Sequence, residues 1–399
     1  MNPLLSRLHP YPFERLRHLF ADVTPHPSFS PISLGIGEPR HATPPLIIEA
    51  LTRHTDELAT YPATAGSLAF REACANWVRR RYGVTLNPDT QVLPVNGSRE
   101  ALFSFAQTVL DGNPESLVVS PNPFYQIYEG AALLGQAQVH YVPSVASKNF
   151  AVDWDSVPVN IWQRTRLLFV CSPGNPTGAV MPLSEWKKLF ELSDQHGFVI
   201  ASDECYSEIY FGDKPPLGGL QAASQLGRTD FKRLMCFTSL SKRSNVPGLR
   251  SGFVAGDAQW IAPFLRYRTY HGSAMGGMVQ QASIAAWNDE AHVHANRALY
   301  KEKFDQVTPL LASVLDVQRP DAGFYLWAGV PGGDDEAFAK GLLAQYNVTV
   351  LPGRYLAREF NGINPGQGRI RMALVAQPDE CLQAAHRIVQ FVQSLPSSS

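Results

Sequence analysis

The alternation of short apolar runs with helical patterns constrains the fold of this chain more than any other sequence feature. Buried strands are predicted by apolar runs at 116–120, 167–171, 198–202, 234–238 and 252–255. Helical periodicity is found, among other places, at 66–82, 101–110, 184–196 and 377–395. This spacing is typical of βα units, so we expect an α/β fold in which a mainly parallel sheet lies between helices.

Length and composition predict two domains of unequal size. With 399 residues, 45% of them apolar, the chain can bury one large core and a smaller one. From about residue 290 the sequence is first helical and then carries two apolar segments, 323–329 and 348–351. We predict an N-terminal segment that joins the small domain, a large ligand-binding domain and a small α+β domain, at residues 1–45, 46–290 and 291–399.

Charge and cysteine usage exclude several classes of function. The formal net charge of −1 gives no field that would attract nucleic acid or an anionic membrane. The five cysteines are scattered without a C-x-x-C pair, which predicts buried free thiols in a reducing compartment, and we expect no metal site. Because no apolar run reaches about 18 residues and the N-terminus lacks a signal peptide's apolar core, we expect a cytoplasmic protein.

Lys242 is the first candidate functional residue. It ends the sequence Ser-Leu-Ser-Lys, which follows the predicted strand 234–238 directly. Ligands bind at the carboxyl ends of strands in open α/β sheets, and a lysine in that place can hold an aldehyde cofactor as a Schiff base. Taken alone, a lysine after a strand is more often a solvated surface charge.

Two other predicted strands are followed by residues that suit a pyridine ring. Asn175 lies in Ser-Pro-Gly-Asn-Pro-Thr-Gly after the strand 167–171, and its amide can donate to a ring oxygen. Asp203 and Tyr206 follow the strand 198–202. A carboxylate there can pair with a protonated ring nitrogen, and the tyrosine can bond the phenolic oxygen. The local alternatives are a plain turn and a helix N-cap.

A third group of residues suits a phosphate. Gly97 and Ser98 open the helical pattern at 101–110, where free N–H groups and the helix dipole favour an anion. An ordinary capping box is the alternative. The side chains that could complete this phosphate cup are Ser239, Ser241 and Arg250.

Near the C-terminus, Arg369 and Arg371 point to the same face if residues 368–374 form a strand. A guanidinium buried by that strand is a planar fork for a carboxylate, although surface arginines are common. Together the candidate residues specify one ligand set: a phosphorylated pyridine aldehyde and an amino-acid substrate.

Over nearly its whole length the chain resembles the class I/II aminotransferases, which are pyridoxal-phosphate enzymes of fold type I. The resemblance is carried by motifs at 34–39, 61–66, 175–178, 203–206, 239–242, 247–250 and 369–371. It implies that Lys242 forms the Schiff base and moves the proton, and that Asp203 pairs with the ring nitrogen. Asn175 and Tyr206 then hold the ring oxygen.

The same resemblance implies the remaining roles. The phosphate is held by Ser239, Arg250 and the backbone of Ser98 and Arg99, with Tyr61 reaching it from a partner subunit. Tyr125 matches the aromatic residue that stacks on the ring. Arg371 binds the substrate α-carboxylate, helped by Asn175 and the backbone of Gly37. Members of the family are homodimers with active sites at the subunit interface.

Within the family, residues 96–103 and 241–250 resemble succinyldiaminopimelate aminotransferases most closely. That implies N-succinyl-LL-2,6-diaminopimelate as substrate, with glutamate and 2-oxoglutarate as the other pair, in lysine biosynthesis. Relatives often carry Asp where this chain has Arg40, and we expect Arg40 and Arg99 to face an acidic side chain.

Three other functions remain open at this stage. The chain could be an aminotransferase for aspartate, alanine or aromatic amino acids, or a C–S or β-lyase that uses the same cofactor residues. A non-catalytic regulator would need a DNA-binding segment, and no basic helix-turn-helix region precedes residue 34.

Overall fold

The computed structural model describes residues 1–396. Its α-helices are α1 Pro12–Leu19, α2 Pro45–Arg53, α3 Leu68–Tyr82, α4 Ser98–Val109, α5 Ile127–Leu134, α6 Val159–Arg164, α7 Leu183–His196, α8 Gly219–Gln225, α9 Leu240–Arg243, α10 Ala258–His271, α11 Gly277–Asn288, α12 Ala291–Ala312, α13 Asp335–Tyr346 and α14 Pro378–Ser394. Its strands are β1 Ile32–Ser33, β2 Val92–Val95, β3 Leu117–Asn122, β4 Gln138–Val145, β5 Ala151–Val152, β6 Thr165–Cys171, β7 Val199–Asp203, β8 Leu234–Ser239, β9 Gly252–Gly256, β10 Tyr325–Gly329, β11 Val348–Thr349, β12 Leu351–Pro352 and β13 Arg369–Ala373.

Eight strands form the main sheet in the order β2-β9-β8-β7-β6-β3-β4-β5. The central pairs from β4 to β8 are parallel, whereas β2, β9 and β5 join antiparallel at the two edges. The prediction of a mainly parallel sheet in an α/β fold is therefore confirmed. The interpretation of the sequence missed β2, β4 and β5. Pro94 is tolerated in β2 because the strand lies at an edge.

The sheet is buried on both faces, as parallel sheets are. In β6 the side chains of Leu167 and Phe169 pack into one apolar cluster, and Leu168 and Val170 pack into another on the opposite face. Helices α4, α5 and α10 contribute to the first cluster, and α3, α7 and α11 to the second. This alternation explains why the strands appear as continuous apolar runs in the sequence.

The register of β6, β7 and β8 brings their carboxyl ends to one level. Cys171 pairs with Asp203, and Asp203 pairs with Phe237. The residues that follow these strands therefore meet at one edge of the sheet, where the sequence placed its candidate site.

A smaller sheet of order β10-β13-β12 is antiparallel and lies in the C-terminal part of the chain. Helices α12, α13 and α14 cover it with an apolar cluster that includes Phe304, Leu342 and Ile388. The N-terminal segment joins this part, because β1 pairs with β11 and Ala373 N–H donates to Leu34. The domain boundaries at residues 45 and 290 stay predictions.

Two further observations concern the chain as a whole. None of the helices in residues 1–396 combines the length and apolarity that crossing a membrane requires. The five cysteines are free thiols, three of them buried and two, Cys171 and Cys205, half-buried near the end of the central strands.

Candidate active site

A cavity of about 540 Å³ lies at the carboxyl ends of the central strands. Most of the residues that the sequence analysis selected line it: Gly37, Ser98, Arg99, Tyr125, Asn175, Asp203, Tyr206, Ser241, Lys242, Arg250 and Arg371. These residues come from both sheets and from the N-terminal segment. The fold therefore brings together groups that are more than 300 residues apart in the sequence.

Lys242 lies in α9, a helix of four residues that begins directly after β8. Its Nζ donates a hydrogen bond to the carbonyl of Gly37 at 2.6 Å. Burial is the main cause that lowers the pKa of Lys242 to about 8; the Cys205 thiol acts in the opposite direction, and the neighbouring Arg371 adds to the lowering. The free amine is therefore neutral in a larger fraction of molecules near neutral pH than an exposed lysine is.

Asp203 ends β7, and its side chain is only 4% exposed. Its Oδ2 accepts a hydrogen bond from the hydroxyl of Tyr128 at 2.8 Å, and Oδ1 accepts one from the N–H of Cys205 at 3.3 Å. Burial raises the pKa of Asp203 above its usual value, in spite of these bonds. A cationic nitrogen bound beside this carboxylate would favour its charged form.

The start of α4 and the side chain of Arg250 form a second part of the cavity. Gly97 precedes Ser98 with a φ of 85°, and a Cβ at Gly97 would lie 2.2 Å from Nη2 of Arg250. Arg250 donates to the carbonyls of Pro247 at 2.8 Å and Asn96 at 3.3 Å. Only glycine leaves room for a guanidinium this close to the helix N-terminus, where N–H groups and positive charge favour an anion.

Arg371 lies in the central strand of the small sheet, between β10 and β12, and is 4% exposed. Nη1 donates to Oδ1 of Asn175 at 3.0 Å, and Nη2 donates to the carbonyl of Gly35 at 2.9 Å. Within the described residues its Nε is buried without a hydrogen-bond partner. Arg369 instead pairs with Asp316 at 2.9 Å outside the cavity.

Tyrosines surround the cavity, and the sequence analysis identified only two of them. The hydroxyl of Tyr206 lies 3.0 Å from that of Tyr325, and Arg99 donates to the hydroxyls of Tyr125 and Tyr11. Tyr128 follows Tyr125 by three residues, a helical spacing that could have indicated it. Tyr11 and Tyr325 carry no local signal, because distant segments place them here.

Three selected residues do not line the cavity. Ser239 caps α9 and bonds Ser241 at 2.9 Å, and Tyr61 is fully exposed. Arg40 departs from the expectation that it faces the substrate side chain. It lines a separate groove and pairs with Glu380 of α14 at 3.4 Å, so its charge is directed away from the cavity.

Comparison with known proteins identifies the family. Residues 30–388 match the family model for aminotransferases of class I and II. The chain is 33% identical over 396 residues to LL-diaminopimelate aminotransferase of Nitratidesulfovibrio vulgaris (strain DSM 19637 / Miyazaki F), and the match covers 97% of this chain and 98% of that relative. The protein therefore belongs to the class I and II aminotransferases, whose cofactor is pyridoxal 5′-phosphate.

Solved structures agree with this assignment. An aminotransferase from Neisseria meningitidis Z2491 is 56% identical, with a TM-score of 0.95 over 98% of this chain and 99% of that chain. A probable N-succinyldiaminopimelate aminotransferase from Thermus thermophilus is 27% identical, with a TM-score of 0.84 over 95% and 98% of the two chains. The predicted class I/II family, fold type and cofactor are confirmed.

We expect Asp203→Asn to leave the protein folded and to slow removal of the substrate Cα proton by roughly 10²–10³-fold. The amide cannot stabilise positive charge on the cofactor ring as a carboxylate does. Single-turnover kinetics with a Cα-deuterated substrate measure the step. Tyr128→Phe is the matched control, because it removes one hydrogen bond and keeps the carboxylate. A wild-type rate with an unchanged isotope effect in the asparagine variant would show that Asp203 is only structural.

We expect Arg371→Lys to lower kcat/KM, because lysine keeps the charge without the planar fork. The activation free energy should rise by roughly 1.5–3 kcal/mol for each charge-assisted bond lost. Arg369→Lys, two residues away on the same strand, is the control and should have little effect. Steady-state kinetics on both variants decide between the two arginines. A larger loss for Arg369→Lys would reverse the assignment.

Proposed function

We propose that this aminotransferase moves the amino group of a diaminopimelate-type substrate to a 2-oxo acid. N-succinyl-LL-2,6-diaminopimelate is the first candidate, with 2-oxoglutarate and glutamate as the other pair. One observation carries the proposal: Lys242, Asp203 and Arg371 converge on a single cavity that also contains Arg99. A pathway role in diaminopimelate and lysine biosynthesis follows from the substrate.

The residues present fit the cofactor. Ser98, the backbone of Arg99, Ser241 and Arg250 would hold the phosphate at the start of α4, where Gly97 leaves the necessary space, and Ser239 would support them by bonding Ser241. Asp203 would hold the ring nitrogen, Asn175 and Tyr206 the ring oxygen, and Tyr125 the ring face. When bound, pyridoxal phosphate supplies an electron sink for negative charge at the substrate Cα.

The protein's own groups do the rest. Arg371 and Asn175 bind the α-carboxylate, with the Gly37 backbone beside them, and so orient the Cα–H bond toward Lys242. The amine of Lys242 accepts this proton at Nζ and, once protonated, is the acid that would return a proton in the second part of the transfer. Its lowered pKa, about 8, favours the neutral amine that this task needs.

Arg99 and the need to bind two substrates in turn favour substrates that carry a distal carboxylate. Donor and acceptor occupy the same cavity, so the side-chain recognition must suit both. Glutamate and N-succinyl-diaminopimelate each carry a distal carboxylate, and Arg99 is the cation placed for it, oriented by Tyr125 and Tyr11.

Free LL-diaminopimelate is the second candidate, for a specific reason. Glu38 also lines the cavity, and its carboxylate can pair with the distal ammonium that succinylation removes. The relative from Nitratidesulfovibrio vulgaris carries that substrate in its name, and the Thermus thermophilus neighbour carries the succinylated one.

The enzyme works as a homodimer in which Tyr61 reaches the phosphate of the partner subunit. This is supported by the full exposure of Tyr61 and by exposed apolar side chains nearby in sequence, Ile48, Leu58 and Leu68. Sedimentation of the full chain tests it: a solution mass of one subunit would contradict the shared site.

The deciding experiment is an amino-donor screen with 2-oxoglutarate, in which glutamate formation is measured by mass spectrometry. The donors are N-succinyl-LL-diaminopimelate, LL-diaminopimelate, alanine and phenylalanine. We expect the succinylated donor to have the highest kcat/KM, and Lys242→Ala to be inactive with all four. Release of ammonia and pyruvate without an acceptor, from a substrate with a sulfur leaving group on Cβ such as cysteine, would instead identify a lyase.

We expect Arg99→Gln to lower kcat/KM for the acidic donor by roughly 1.5–3 kcal/mol, about 10–150-fold, and to change alanine turnover little. Arg40→Gln is the matched control, because that guanidinium lies in a different groove and pairs with Glu380. If Arg99→Gln affects alanine and the acidic donor equally, Arg99 serves the cofactor alone. Glu38→Gln should lower activity with free LL-diaminopimelate selectively.

A further inference from the structure

A row of hydrogen bonds leads from the buried amine of Lys303 to the main chain of Lys242. Nζ of Lys303 lies 2.6 Å from Nε2 of His41 and donates to the carbonyl of Leu374 at 3.1 Å. Nδ1 of His41 lies 2.7 Å from Oδ1 of Asn296. Nδ2 of Asn296 donates to the carbonyl of Lys242 at 3.3 Å. Lys303, His41 and Asn296 do not line the catalytic cavity.

The direction of these bonds is fixed at both ends. The amine of Lys303 donates when charged, so Nε2 of His41 accepts and the ring proton lies on Nδ1. Nδ1–H then donates to Oδ1 of Asn296, which turns the amide nitrogen toward the carbonyl of Lys242. The orientation of Asn296 has independent support, because Nδ2 of Asn245 donates to the same Oδ1 at 3.0 Å.

Burying Lys303 is unfavourable for stability. The residue is 0% exposed, and burial lowers the pKa of its amine to about 8. Within residues 1–396 Lys303 forms no ion pair with a carboxylate; the nearby groups that raise its pKa are the Cys381 thiol, Glu380 and Glu302. An apolar residue would suit this position in α12 better, so the amine needs a reason to be there.

The end of α9 supplies that reason. A helix of four residues leaves its last carbonyls without partners inside the helix, and here only Ser244 N–H returns to Leu240, at 2.9 Å. Asn296 bonds the carbonyls of Lys242 and Arg243. His41 also ties down the segment that carries Gly37, whose carbonyl accepts from Nζ of Lys242. Asn296 thus contacts the main chain of Lys242 directly and, through His41, the segment that carries the acceptor of its amine.

We propose that Asn296, His41 and Lys303 are positioning residues that hold Lys242 for proton transfer, an inference that rests on the proposed role of Lys242. Asn296 fixes the main chain of α9, His41 orients Asn296, and Lys303 sets the tautomer of His41. The small-domain helix α12 is coupled in this way to the catalytic lysine of the main sheet.

The test is the ionisation of Lys242 itself, measured in the full-length protein freed of cofactor by competitive labelling of amines and peptide mass spectrometry. Wild type should give a pKa of about 8 for Lys242. In Asn296→Ala and Lys303→Met, α9 relaxes and Nζ gains water. The pKa of Lys242 should then rise by about one pH unit or more toward its ordinary value. Lys301→Met, on the exposed side of the same helix, is the matched control.

The cofactor-loaded enzyme gives the second readout. We expect kcat to fall about tenfold or more in Asn296→Ala and Lys303→Met while KM changes little, because the substrate-binding residues are untouched. His41→Gln should retain most of the activity, since glutamine can accept from Lys303 and donate to Asn296. His41→Leu should not.

The pH profile separates positioning from simple packing. Burial and the neighbouring Lys303 lower the pKa of His41 below its usual value, while the bond to Asn296 opposes them. The other group against the ring is Tyr300, with centroids 4.7 Å apart. Protonation turns both ring nitrogens into donors, so wild-type kcat should fall at acid pH, below the ordinary histidine pKa of about 6.5 because the pKa of His41 is lowered, and His41→Gln should lack that limb.

Two results with these variants would overturn the proposal. If Asn296→Ala and Lys303→Met are folded and leave both the pKa of Lys242 and kcat unchanged, the proposal is overturned. If they lower only the melting temperature, the row is structural and the proposal also fails. Should Lys303→Met not fold, Asn296→Ala carries the same test. The labelling result does not depend on turnover, so failure of the proposed function is recognised separately, by the donor screen.

Discussion

The backbone register of three parallel strands is the constraint on which the site depends. Cys171, Asp203 and Phe237 lie side by side at the ends of β6, β7 and β8, so the segments that follow these strands leave the sheet at one level. Successive side chains of a strand alternate between faces. Asp203 points into the cavity, whereas the hydroxyl of Ser202 bonds Glu204 in a separate buried network with Gly219. A slip of one residue would exchange these environments.

Electrostatics around the cavity is balanced for ligands that are mostly anionic. Lys242, Arg99, Arg250 and Arg371 line it together with few carboxylates, among them Asp203. Burial lowers the pKa of Lys242 and raises that of Asp203, so it shifts each group toward its neutral form, and a partner of opposite charge shifts it back. A phosphate, a carboxylate and a cationic ring nitrogen are partners of this kind.

Local sequence signals predicted most of the central strands, several of the helices and the residues at strand ends, because each depends on neighbours within a few positions. Lys242 and Asp203 follow apolar runs directly, and Gly97 marks the start of α4. Contacts between distant segments carried no such signal. Tyr11 reaches Arg99 across 88 positions of sequence, and no periodicity encodes that approach.

Arg40 lies outside the cavity for the same physical reason. Its place in the sequence, two residues after Glu38, suggested the cavity, but a guanidinium turns toward the carboxylate within reach. That carboxylate is Glu380, brought near by the packing of α14. Ser239 shows a milder case, because its hydroxyl is used as the N-cap of α9.

Stability and positioning oppose one another at Lys303. Its pKa is lowered from 10.5 to about 8, so between these values the unfolded chain binds the proton that the folded chain releases. The contribution of this residue to stability therefore rises as the pH increases through that window, and it is unfavourable below pH 8, where both states are charged. At neutral pH the enzyme thus keeps a destabilising ammonium in the core of its small sheet. That ammonium donates a hydrogen bond to His41, which in turn orients Asn296 against the main-chain carbonyl of Lys242.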